Sequence, residues 1–137
     1  MPAASVSIAM NVFLIEPDAI LAGLYGGALC SVGHDVLTLK TAQAAVSAAE
    51  ERIPDVVVLA TEMARHNGVE FLYEFKSYTE WRDVPVVLLV SSLNHDVAEQ
   101  PIVQASLLGG GSVLVKSQTS LHALCQAVAA ASRVKSP

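Results

Sequence analysis

The chain has 137 residues, 53% of them hydrophobic, 15% charged and 5% aromatic, with a net charge of -5. That length suits one domain able to bury roughly two thirds of its unfolded surface, without help from a metal or a disulfide. With 8 Lys and Arg against 13 Asp and Glu it lacks the basic footprint of a nucleic-acid binder, and Cys30 and Cys125 are too few for a disulfide framework or a zinc site.

The opening segment, MPAASVSIAMNVFLIEPD, has no basic region, and its apolar run is interrupted by Asn11 and ended by Glu16, well short of a membrane span. Residues 1–10 are expected to be a leader, 11–133 the domain and 134–137 a tail, in a reducing cytoplasm. Strand-length apolar runs then recur at Val12 to Ile15, Val36 to Leu39, Val56 to Ala60, Val86 to Val90 and Val113 to Val115. They are continuous rather than alternating, as parallel strands covered on both faces are.

Between the strands lie segments of helical spacing. The first starts at Asp18, a favourable N-cap, and is expected to bury Ile20, Leu21, Leu24, Ala28 and Leu29 before Gly33 closes it. Thr41 is expected to cap the second, whose Ala45, Ala48 and Ala49 permit close approach to the sheet. The third runs from about Gly68 to Tyr78 and buries Phe71, Leu72 and Phe75, with Trp81 anchoring its end. Ser91 to Gln100 reads as a long loop, and Pro101 as the first residue of the fourth helix. The fifth is expected to follow Thr119 as N-cap and to bury Leu121, Leu124, Cys125 and Val128. Its outward face, near His122, Ala123, Gln126 and Ala130, carries almost no charge, as interface cores do.

In an open parallel sheet, ligands bind beyond the carboxyl ends of the strands. Those ends carry Glu16-Pro17-Asp18, Ala60-Thr61, Val90-Ser91-Ser92 and Lys116. There is neither a Gly-rich dinucleotide turn nor a P-loop. His34, His66, His95 and His122 show no metal-ligand spacing and are expected to be exposed or in turns. Asp55 begins its strand at the wrong edge to serve as an acceptor. Thr61 and Glu62 flank Ala60 without replacing it, since successive side chains point to opposite faces.

The block PDVVVLATEMARHNGVEFL (54–72), with VFLIEPD (12–18), VPVVLLVSS (84–92) and GGGSVLVKS (109–117), resembles the receiver domains of two-component response regulators over about residues 11–132. The resemblance implies a flavodoxin-like α/β fold, a doubly wound five-stranded parallel sheet in the order 2-1-3-4-5 with helices on both faces. It also implies a phosphorylation pocket, occupied here by Glu16, Asp18, Ala60, Val90, Ser91 and Lys116. The departures are sharp. Ala60 stands where the family's phosphoacceptor aspartate would be, Pro17 interrupts the acidic pair, and Val90 falls at the hydroxyl's place unless Ser91 substitutes by a one-residue slip. Val113 takes the place of the switch aromatic, and Ser117 follows Lys116 where proline is usual.

A pocket of this kind implies a pseudo-receiver, not an enzyme: a phosphorylation-independent protein-interaction module with magnesium binding weak or absent. The ammonium of Lys116 is expected within salt-bridge reach of Glu16 or Asp18. The implied partners are signalling proteins or a second copy, met through helix four, strand five and helix five, with no nucleic acid and no membrane. The competing readings are a small-molecule sensor closed by the Ser91 to Gln100 loop, and a degenerate hydrolase using Ser91 or Ser92, for which no base is placed.

Overall fold

The structure is a computed structural model that describes residues 9–62, 68–91 and 100–134, apart from the side chains of 108 and 132–134. In chain order its elements are β1 (Asn11–Ile15), α1 (Ala19–Ser31), β2 (Asp35–Leu39), α2 (Ala42–Glu51), β3 (Val56–Ala60), α3 (Gly68–Ser77), β4 (Val86–Val90), α4 (Pro101–Leu108), β5 (Ser112–Val115) and α5 (Leu121–Val134). Short 3-10 turns occupy Thr79–Trp81 and Lys116–Gln118. All strand pairings are parallel, in the order β2-β1-β3-β4-β5. The doubly wound flavodoxin-like fold read from the sequence is the fold observed, and each predicted strand matches within one residue.

Strand alternation divides the core in two. Phe13, Ile15, Val57, Leu59, Val86 and Leu88 face α2, α3 and α4, where they meet Ala45, Phe71, Leu72, Phe75 and Val103. Val12, Leu14, Val56, Val58, Val87 and Leu89 face α1 and α5, where they meet Tyr25, Leu29, Leu124 and Val128. The central strands are buried on both faces, hence their unbroken apolar runs; the edge strands β2 and β5 are only partly buried. Trp81 stacks on Phe75 at 5.1 Å and lies 4.4 Å from the ring of Tyr78, so it does anchor the chain after α3.

Helix orientation departs from the sequence reading in two places. In α1 the buried residues are Ala22, Tyr25, Gly26 and Leu29, whereas Ile20 and Leu24 face outward. The helix carries no charged residue, so its apolar pattern has no phase, and only packing against the sheet chooses the buried side. In α5, Leu124 and Val128 are buried as expected, joined by Ala131, but Leu121 is exposed and Cys125 only half-buried. The cap there is Ser120, whose hydroxyl accepts the Ala123 N–H at 3.0 Å. Thr119 instead donates its hydroxyl to the Val115 carbonyl at 2.7 Å.

The close approach of α3 to the sheet requires a glycine. A Cβ on Gly68 would lie 2.7 Å from Thr61 Cα and 2.9 Å from the Ala60 oxygen. Its N–H donates to the Thr61 carbonyl at 2.6 Å, which ties the start of α3 to the tip of β3. Among the described residues no helix is long and apolar enough to cross a membrane.

Candidate phosphorylation pocket

The parallel register carries Glu16, Ala60, Ser91 and Lys116 to one edge, just beyond or at the ends of β1, β3, β4 and β5. Glu16 is 1% exposed. Burying a carboxylate is costly unless it is paired, and its partner is Lys116, whose ammonium lies 2.8 Å from Oε1 with 17% of its side chain exposed. The ammonium meets that oxygen off the directions of a good hydrogen bond, so the contact is a close ion pair and Oε1 has no well-aligned donor among the described residues. Oε2 accepts the Asp18 N–H at 3.1 Å.

The ion pair expected from sequence is therefore present, with Glu16. Asp18 is used differently. Its Oδ1 accepts the N–H groups of Ile20 at 2.9 Å and Leu21 at 3.0 Å, which makes it the N-cap of α1. The buried Tyr25 phenol is held above its ordinary range first by burial and then by the charges of Glu16 and Asp18. It stays neutral beside the two carboxylates, and sequence spacing gave no sign of this neighbour.

Ala60 ends β3 as a fully buried methyl. Thr61 follows with its N–H 3.0 Å from the Leu89 carbonyl and its hydroxyl directed to the same oxygen at 3.5 Å, so it points into the sheet. Val90, the last residue of β4, is buried and paired with Val115. Ser91 accordingly lies beyond the strand. Its hydroxyl donates to the Glu62 carboxylate, a contact joining the ends of β3 and β4 that sequence reading missed. The alternation rule held for Thr61 but stopped applying where regular strand ends at Ala60, and Glu62 swings across.

The remaining candidates lie away from this edge. His34 is buried rather than exposed, and its Nδ1 accepts the Met10 N–H at 3.2 Å. Burial pushes its pKa below the ordinary histidine value. Asp55 accepts the Asn11 N–H at 2.7 Å at the opposite edge of the sheet, consistent with its exclusion as an acceptor. On α5, His122, Gln126 and Ala130 are exposed and Ala123 is half-buried. His66, His95 and Ser92, with the rest of positions 92–99 to which the sequence reading assigns a long loop, lie outside the described residues. Among the described residues no group of three His, Cys, Asp or Glu side chains is placed to hold a metal ion.

No family-level sequence profile matches the chain. Similar curated proteins are the Regulatory protein LuxO of Vibrio vulnificus and the Probable transcriptional regulatory protein TcrX of Mycobacterium tuberculosis. The first is 27% identical over 103 residues, covering 75% of this chain and 21% of LuxO. The second is 29% identical over 113 residues, covering 82% of this chain and 45% of TcrX. The chain thus spans less than half the length of these relatives. Among solved structures, the phosphorylated cyanobacterial phytochrome response regulator RcpA superposes with a TM-score of 0.70 at 25% identity, over 88% of this chain and 89% of that one. The Vibrio cholerae chemotaxis protein CheY4 gives a TM-score of 0.78 at 17% identity, over 88% and 97%. In sequence and in fold the chain is similar to response-regulator receiver domains. Receivers of this kind serve two-component signalling and are in general non-enzymatic. In this chain the strand-end edge holds a buried methyl group, an internally paired lysine and a serine bonded to a neighbouring glutamate.

Proposed function

We propose that this receiver works without aspartyl phosphorylation, as a protein-interaction module in a two-component or phosphorelay pathway. The observation that carries the reading is the buried methyl of Ala60 at the tip of β3, beside a lysine already neutralised by Glu16. A methyl group has no lone pair, so no acyl phosphate can form there. The oxygen donors do not suit magnesium, which needs near-octahedral oxygen coordination. Glu16 faces an ammonium and an N–H, and the Asp18 oxygen that caps α1 is committed to two N–H groups. We therefore expect divalent metal to bind weakly or not at all.

A receiver signals because a phosphoryl group favours one of two arrangements of the strand-four hydroxyl and its neighbours. Here Glu62 accepts the Ser91 hydroxyl, and Glu16 pairs with Lys116. Carboxylates of the chain itself thus engage both groups, and a ligand with no differential affinity moves no equilibrium. Shape and surface then carry the signal. The face of α4, β5 and α5 is the proposed contact, with a second copy or a signalling protein as partner. Its support is the scarcity of charge around His122, Ala123, Gln126 and Ala130.

Incubation with magnesium and a small phosphodonor, followed by intact mass, tests the central claim: the expected result is no acid-labile phosphoryl adduct, and an adduct on this chain overturns it. Equilibrium sedimentation tests the homodimer, which a strict monomer at high concentration would remove.

A further inference from the structure

At the opposite edge of the sheet, near the amino ends of β4 and β5, lies a cavity of about 590 Å³ lined by Lys76, Arg82, Asp83, Ile102, Ala105, Ser106 and Gly109. Its size falls within the range of roughly 300–1,000 Å³ typical of small-molecule sites. Two features mark it as more than a surface dent. Ser106 is 7% exposed, and its hydroxyl has no hydrogen-bond partner among the described residues. Buried hydroxyls are nearly always satisfied, and this unpartnered one belongs to a residue of the cavity wall, where a ligand atom would complete it. Lys76 is fixed in place, with its Nζ donating to the Arg82 carbonyl at 3.0 Å and closely to the Val84 carbonyl. An ammonium has three donors, which leaves one for a further acceptor.

We propose that this cavity binds an aliphatic α-amino acid as its zwitterion. The lining carries two cations, one carboxylate, an unpartnered hydroxyl and an apolar wall, and such a ligand answers each of them. Its carboxylate meets Lys76, Arg82 and the Ser106 hydroxyl, its ammonium meets Asp83, and its side chain packs on Ile102 and Ala105. A simple anion would leave Asp83 opposed, and a simple amine would face Lys76 and Arg82. Burial holds the Lys76 pKa down at about 8 against the opposing pull of Asp83. A bound carboxylate favours the ammonium, so binding above pH 8 takes up protons. The site is remote from Ala60 and Lys116 and stands independently of the proposed function.

The test is titration of the ¹⁵N-labelled full chain with leucine, valine and alanine, followed by amide shifts. The expected shifts cluster at Lys76, Arg82 to Val84 and Ile102 to Gly109. 4-Methylpentanoate, which lacks the ammonium, and 3-methylbutylamine, which lacks the carboxylate, should bind about tenfold or more weakly, since each forgoes charge-assisted hydrogen bonds. Asp83→Asn should weaken leucine by a similar factor and leave 4-methylpentanoate no weaker, while Ser106→Ala should weaken leucine with the fold intact. Calorimetry in two buffers of different ionisation heat should show proton uptake above pH 8 and none well below it. Absence of shifts with all three amino acids, shifts away from the cavity, or equal affinity for the deaminated acid would overturn the proposal.

Discussion

Glu16→Gln is the sharpest probe of the strand-end site, because glutamine keeps the shape and an acceptor for the Asp18 N–H but removes the charge that Lys116 faces. At the observed 2.8 Å, an effective dielectric of about 20 gives an attraction of roughly 6 kcal/mol. Taking both ions out of water gives back several kcal/mol of this, and Lys116 retains 17% exposure through which it recovers some hydration when its partner is lost. The net loss should be about 2–3 kcal/mol. For a domain of this size that lowers Tm by about 6–12 °C. Urea and thermal melts of Glu16→Gln, Lys116→Met and the double variant form a cycle. The double variant should be less destabilised than the sum of the singles, because it leaves no unpaired buried charge. If Glu16→Gln lies within about 0.5 kcal/mol of the parent, or the two losses simply add, the pair is not coupled and the reasoning fails.

Gly68→Ala should cost about 1–3 kcal/mol in denaturant melts, because the new Cβ would press on Thr61 Cα and the Ala60 oxygen, both backbone atoms. Ser120→Ala should lose about 1 kcal/mol with the loss of a helix cap, while Thr119→Ala should leave the Ala123 N–H capped. Stability should also fall with acid through His34. Its folded pKa lies below the unfolded value of 6.5, so the unfolded chain takes up the proton first, and stability is full above about pH 6.5 and declines as pH falls below it. Melts between pH 5 and 7 should show this slope, and His34→Asn, which does not titrate, should flatten it.

Pattern and spacing made the fold legible because the three central strands are buried on both faces, which shows in sequence as unbroken runs of Val, Leu and Ile. The chemistry at the strand ends was legible for the same reason: register in a parallel sheet carries Glu16, Ala60 and Lys116 to one edge once the runs are located. What escaped was rotation and reach. In α1 every face is apolar or glycine, so Ile20 and Leu24 could not be told from Tyr25 and Leu29 by period. Glu62 lies past the regular strand, and its bond to Ser91 depends on a chain path that no alternation rule describes.

The chain order of short apolar runs, caps and glycines determined by itself that this is a five-stranded parallel α/β domain, since local propensity and burial pattern act over a few residues. It also determined that β3 ends in carbon, which is a matter of residue identity alone. Only the tertiary structure decided that Glu16 rather than Asp18 neutralises Lys116. That choice depends on which carboxylate is held within 2.8 Å and which is drawn off to cap a helix. It likewise decided that Lys76, Arg82, Asp83 and Ser106 share one cavity, because α3, the turn after it and α4 meet there only when both helices pack on the same face of the sheet.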